Sequence, residues 1–263
     1  VSGRRVAPGV AAAAGAALLA LHLPLLVLAA FSLNRSRYGV QWTGATLEWY
    51  GRMLERPDVL RALGRSLQVG VAATLLATAV GTLLALGIRR LAPRGRRAWD
   101  ALLYLPVVTP EVVAGVSLLV LLTAAGLRLG LGTVILAHAG FAVPFVTLVV
   151  LARLDGMDRS LEEAALLLGA DEWATFRRVT LPGLAPGIAA GALLAFTLSF
   201  DDFVITFFVA GPGTTTLPLL VYSMVRRGVD PTVNAISTVM LAATTALFVL
   251  AERVGGLAGR GRA

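Results

Sequence analysis

Three carboxylates stand inside stretches that otherwise carry no charge: Glu111, within Ala101–Leu122, and the adjacent Asp201 and Asp202, within Ile188–Ala210. A carboxylate at bilayer depth costs about 2.5–3.5 kcal/mol on insertion scales, so each should face protein or a water-filled path. Read as one continuous helix, the first stretch puts Glu111 about ten residues in, roughly 15 Å deep and near the midplane. The second puts Asp201 and Asp202 about fourteen residues in, roughly 20 Å from the cytoplasmic start and so on the outer half. No arginine accompanies them in the apolar stretches. A path lined by these acids is negative, which suits a cation and repels an anion. Neighbouring helical positions point about 100° apart, so Asp201 and Asp202 cannot serve one spot. One lines the path and the other anchors its helix, and spacing alone does not choose between them. For Glu111, which follows Pro110, satisfying a broken helix turn is the competing role.

Enzymatic chemistry fits these residues poorly. An intramembrane aspartyl protease needs two carboxylates on one water, which adjacent helical positions do not supply. Glu111 with one of the aspartates is a geometric possibility that no motif supports. His22 and His138 are single histidines on apolar helices, read as hydrogen-bonded packing residues rather than metal ligands. Serine catalysis would need a paired histidine, and G-x-S-x-G does not occur. With no cysteine there is no thiol nucleophile, thiolate metal site or disulfide framework. All 23 basic residues are arginine, and a Walker A sequence cannot exist without lysine. Any ATP hydrolysis must therefore come from another subunit, and no cofactor or metal is expected.

The elements that place these acids follow from composition. Of 263 residues, 57 % are hydrophobic and 14 % charged, with a mean hydropathy of +0.81. Soluble domains are closer to a quarter charged, and disordered chains are far less apolar. Roughly 20 apolar residues make one span, and six runs qualify: Val10–Phe31, Ser66–Ile88, Ala101–Leu122, Gly132–Leu151, Ile188–Ala210 and Val233–Ala251. Lipid satisfies no backbone group, so these should be helices, and the alternation of a membrane barrel is absent. The first run, behind Arg4 and Arg5, has the flank of a signal peptide but too long an apolar core, which favours a retained helix. Leu217–Val225 is too short to span and reads as interfacial or re-entrant. Gly187, Gly191 and Ala195, four apart, permit close helix packing.

Arginines set the orientation. With the N-terminus inside, fourteen fall on the cytoplasmic side and nine outside, the tight turn Arg89–Arg97 being the most decisive. Both termini are then cytoplasmic. The net charge of +8 therefore describes topology rather than nucleic-acid binding. The outer loop of about Ser32–Arg65 carries Trp42, Trp49 and Tyr50, suited to the membrane surface.

The segment Arg153–Pro182 is the long polar cytoplasmic loop. Ser160 with Glu163 reads as a capping box, Ser160 being the N-cap. Leu161, Ala164, Ala165 and Leu168 share a helical face, and Gly169 is placed to end the helix left-handed. Asp171 caps a second short helix to Arg178. Pro182 interrupts its continuation, and Pro186 opens the fifth span. The element is helix, glycine turn, helix: a knob fit for a partner's groove.

Glu163-Ala164-Ala165, three residues, Gly169, nine residues, then Val179-Thr180-Leu181-Pro182 resembles the EAA loop of ABC-importer permeases, with Val179 in the usual isoleucine position. Phe196 to Pro212, Leu217-Pro218, Tyr222 to Arg226 and Gly228 to Ala235 resemble the second permease subunit of spermidine/putrescine importers, as do Leu105-Pro106, Pro110 to Val113 and Gly115 to Leu119. The resemblance covers nearly the whole chain. It implies an all-α integral membrane protein of six transmembrane helices with the type I importer permease fold, a single domain over 1–263. It implies a non-catalytic subunit in a cell inner (plasma) membrane that moves a small cationic solute, a polyamine. Another small solute in the same importer class is the alternative, and an intramembrane hydrolase a remote one. Implied partners are an ATP-binding homodimer, a second related permease, a periplasmic or lipid-anchored solute-binding protein and membrane lipid, with no nucleic acid. Glu163, Ala164, Ala165, Gly169, Leu181 and Pro182 would couple to the ATPase; Glu111, Asp201 and Asp202 would line the path.

Overall fold

A computed structural model describes residues 8–37, 41–228 and 231–260. Arg4, Arg5 and Arg262 of the orientation argument, and Val229 and Asp230 of the family resemblance, lie outside them. Apart from one isolated bridge between Asn34 and Ala45, the described regular structure is helical. The helices are α1 (Pro8–Phe31), α2 (Glu48–Glu55), α3 (Pro57–Arg89), α4 (Pro93–Val108), α5 (Glu111–Ala124), α6 (Leu131–Asp155), α7 (Ser160–Leu167), α8 (Glu172–Thr175), α9 (Leu181–Asp201), α10 (Val204–Val209), α11 (Leu217–Arg227) and α12 (Thr232–Arg260). Five helices are long and apolar enough to cross a bilayer. The pair α4–α5, bent by 106°, brings the number to six when taken as one span.

The chain forms two compact units: Val1–Leu60 with Val221–Ala242, and Arg61–Leu220 with Ala243–Ala263. In the first unit the loop after α1 is organised around buried Asn34. Its amide donates to the Gln41 carbonyl and its Oδ1 accepts from Ser36 and Thr43 amides. Trp49 Nε1 donates to the Asn34 carbonyl at 2.7 Å, and Tyr50 shares a hydrogen bond with Ser32. Trp49, read from sequence as a membrane-surface residue, is instead 5 % exposed because Asn34 takes its indole N–H inward. The loop after α1 is also shorter than the sequence implies, since α3 already begins at Pro57, a favoured first helical position.

In the second unit α6 and α9 pack along their length, and α10 is wedged between α5 and α6. Gly187 lets α9 approach α6: a Cβ there would lie 2.7 Å from Arg153 Cβ. Gly191 stands against Val146, and Ala195 is fully buried. One core gathers Ala77, Ile88, Val146, Val150, Leu154 and Leu184. A second gathers Val69, Leu122, Val134, Ile205 and Val209.

Three apolar runs differ from their sequence reading. Ala101–Leu122 is not one helix. Thr109, preceding a proline, takes extended backbone (φ −70°, ψ 131°), and α5 starts afresh at Glu111. Glu111 therefore opens a helix rather than sitting ten residues into one. Ile188–Ala210 breaks at Asp202 (φ −67°, ψ 128°), so Asp201 ends α9 and the two aspartates do not share a helix. Pro182 does not separate the loop from the fifth span. A π turn over Phe176–Thr180 joins α8 to α9, widening the helix where proline removes an N–H, and Pro186 lies inside α9.

Candidate functional site: an acidic break and a helical knob

At the α9–α10 break the Asp202 carboxylate accepts from the amides of Ile205 (3.2 Å) and Thr206 (2.8 Å) and from the Thr206 hydroxyl (2.8 Å). It thereby satisfies the N–H groups that open a helix turn. His138, on α6, contacts it through Nε2 at 3.1 Å, with Thr206 Oγ1 at 2.9 Å. An ionised carboxylate only accepts, so Nε2 carries the hydrogen, and Nδ1 shares a hydrogen bond with the Ser199 hydroxyl at 2.7 Å. Both nitrogens of His138 are thus engaged in holding α6, α9 and α10 together, while His22 bonds the Leu18 carbonyl one turn back. The adjoining cavity, lined by His138, Phe141, Leu198, Ser199 and Asp202, has about 10 Å³ of space, room for one water.

The three acids are neighbours, but their environments differ. Asp202 is 8 % exposed and fully hydrogen-bonded. Asp201 and Glu111 are exposed, and each interacts electrostatically with Asp202. The two breaks therefore bring Glu111, at the start of α5, beside Asp202, at the break that follows α9. Sequence spacing missed this because it assumed unbroken helices. The signals were present: Thr109-Pro110 forbids helical continuation, and Asp202 three and four residues ahead of Ile205 and Thr206 is a capping pattern.

At the other end of the second unit, Asp155 and Gly156 end α6 and the chain turns into α7. Ser160 does not cap that helix. It is the first helical residue, and its N–H is taken by Asp158 Oδ1 at 3.0 Å. Gly169 follows α7 with φ +88°, and the Ala170 amide closes on the Ala165 carbonyl. Asp171 caps α8 through the Ala174 amide. Glu163, Ala164, Gly169, Leu181 and Pro182 are exposed and Ala165 half-buried. Leu167 and Leu168 are each 89 % exposed, and Trp173, stacked on Phe176, is exposed beside them. Glu162, to which the sequence assigned no role, is gripped by Arg89 through both carboxylate oxygens (3.2 and 3.0 Å) and by the Thr180 hydroxyl (2.8 Å). Arg96 pairs with Asp155, and Arg153 donates to the Gly183 carbonyl.

Comparison with known proteins agrees with this architecture. The model of the family "Binding-protein-dependent transport system inner membrane component" matches residues 77–260. The spermidine/putrescine transport system permease protein PotC of Haemophilus influenzae is 38 % identical over 89 % of the chain and 91 % of its own length. The putrescine transport system permease protein PotI of Escherichia coli is 41 % identical over 85 % of the chain and 82 % of its own length. A bacterial ABC transporter that imports the acidic polysaccharide alginate superposes with a TM-score of 0.65 at 18 % identity, covering 92 % of this chain and 91 % of that one. At that identity the likeness shows the fold alone. The helical architecture and these relatives together make the chain a multi-pass inner-membrane permease, a transport subunit without catalysis of its own, belonging to the family of binding-protein-dependent transport system inner membrane components.

Proposed function

We propose that this chain is the second permease subunit of an ATP-driven importer for a small cationic solute, a polyamine such as spermidine or putrescine. The observation that carries the reading is the pair of exposed acids, Glu111 and Asp201, at the breaks within two apolar runs. Helix breaks inside membrane proteins occur where they line a cavity or are covered by protein, and intramembrane acids mark cation paths. The relatives named for spermidine and putrescine support the choice of solute. Asp202 belongs to the same acidic field but acts as the anchor, with Glu111 and Asp201 lining the path. Both termini and the loop 153–182 are cytoplasmic, and Glu163, Ala164, Ala165, Gly169, Leu181 and Pro182 meet an ATP-binding homodimer. A related permease completes the path, and a periplasmic or lipid-anchored binding protein delivers solute.

The test is reconstitution. The purified chain alone should hydrolyse no ATP. With an ATP-binding subunit, a second permease and a binding protein, it should import radiolabelled spermidine in an ATP-dependent way. Hydrolysis by the chain alone, or ATP-dependent import that spermidine and putrescine do not compete for, would overturn the reading.

A further inference from the structure

The helix α7 has no buried residue, and its leucines face outward. An eight-residue helix without a buried face has little intrinsic stability, so something else must hold it. Beneath it lies a cavity of about 380 Å³ lined by Leu86, Arg89, Glu162, Leu166, Thr175 and Thr180, and the Thr175 hydroxyl is buried without a partner. Across that gap runs one strong link. Glu162 takes a bidentate bond from Arg89, the last residue of α3, and a hydroxyl bond from Thr180, the last residue of the π turn that leads into α9. Bidentate guanidinium–carboxylate pairs are among the strongest and most directional polar contacts. The pair is largely shielded, the side chains being 13 % and 25 % exposed. Single π turns inside α-helices occur often at functional sites.

We infer that Glu162 is the positioning residue that ties α7 to the ends of α3 and α9. A displacement imposed on α7 from outside is passed to these two membrane helices through one carboxylate. Its neighbour Glu163 is exposed and free to meet a partner, so consecutive glutamates divide the labour: one outward, one inward. The inference rests on the reading of 153–182 as the loop that meets the ATP-binding subunit.

The experiment uses the complete reconstituted importer with Glu162→Gln, Arg89→Gln, and the double exchange Arg89→Glu with Glu162→Arg. Two readouts are taken: spermidine imported per ATP hydrolysed, and amide hydrogen exchange over residues 160–168. A charge-assisted bond corresponds to about tenfold to a hundredfold. Each single variant should therefore raise exchange in α7 by at least about tenfold and lower import per ATP comparably, with the ATP-binding subunit still co-purifying. The double exchange should restore both to within about threefold, since opposite charges again face each other. Unchanged exchange in the single variants would overturn the tether, and raised exchange with unchanged import per ATP would overturn its role in transmission. If the wild-type complex imports no spermidine while exchange responds as stated and the double exchange restores it, the solute assignment fails and the tether stands.

Discussion

The Asp202 carboxylate and the His138 imidazole are 3.1 Å apart, and both are almost wholly buried, 8 % and 3 % exposed. This contact distinguishes the two adjacent aspartates. Asp202 uses its oxygens on His138, Thr206 and Ile205, leaving them committed to the fold. Asp201 ends α9 exposed. Removing one partner of a buried polar pair costs more than the pair contributes, because the other is left unsatisfied.

Asp202→Asn should therefore cost about 1.5–3 kcal/mol and Asp202→Ala about 3–5 kcal/mol of stability. Thermal unfolding of the detergent-purified chain measures this. Asp201→Asn, which removes no internal bond of this kind, should unfold at the wild-type temperature. Equal melting of Asp201→Asn and Asp202→Asn would refute the division of roles.

The glycine after α7 gives a second prediction. Gly169 has φ +88°, and nothing lies within 4 Å of the Cβ position, so conformation rather than space constrains it. A non-glycine residue held there costs about 1–3 kcal/mol, more for a β-branched one and less for asparagine. Gly169→Val should lower solute import per ATP strongly while Gly169→Asn retains most of it, with membrane insertion normal in both. Coupled transport by Gly169→Val at the wild-type ratio would argue against the turn as part of the docking surface.

Close helix packing can be tested by size. A Cβ at Gly187 would meet Arg153 Cβ at 2.7 Å, and Arg153 is itself fixed by the Gly183 carbonyl. Gly187→Ala should destabilise by about 1–3 kcal/mol, the usual cost of overpacking. Gly140→Ala, in α6 with nothing within 4 Å, should be neutral or stabilising by up to about 1 kcal/mol. The comparison is a pair of unfolding curves, and an equally stable Gly187→Ala would show that α6 and α9 do not approach so closely.

Topology can be tested without background, because the chain has no cysteine. Gly95→Cys and Thr43→Cys probe the turn after α3 and the loop after α1; Gly44 is avoided because its φ of +124° would strain a side chain. An impermeant thiol reagent added to intact cells should label position 43 and not 95. Labelling at 95 would reverse the orientation that the arginine distribution implies.

Much of the fold was legible because apolar runs near twenty residues leave the backbone few options in lipid. The Gly169 turn and the Asp171 cap were legible too, since each rests on local backbone chemistry. What escaped were contacts between residues far apart in sequence. Asp202 looked like one of two equivalent acids until His138, 64 positions earlier by their numbers, was placed beside it. Glu162 had no role in the sequence pattern until Arg89 reached it from 73 residues away. The Ser160 capping box was a plausible local pattern that lost to Asp158, which reaches the same amide first.

The solute path gives the final prediction. Glu111 opens α5 and Asp201 closes α9, both exposed and both within electrostatic range of Asp202. Asp→Asn and Glu→Gln keep size and remove charge, so they test electrostatics rather than packing. A lost charge-assisted contact corresponds to about 1.5–3 kcal/mol, or tenfold to a hundredfold. Asp201→Asn and Glu111→Gln should each slow spermidine uptake by about that factor while the complex assembles at wild-type yield. In the proposed assembly, where a binding protein captures the solute, the loss should appear in transport rate rather than apparent affinity. If both variants import spermidine at the wild-type rate, the exposed acids do not meet the solute, and the electrostatic case for a cation disappears with them.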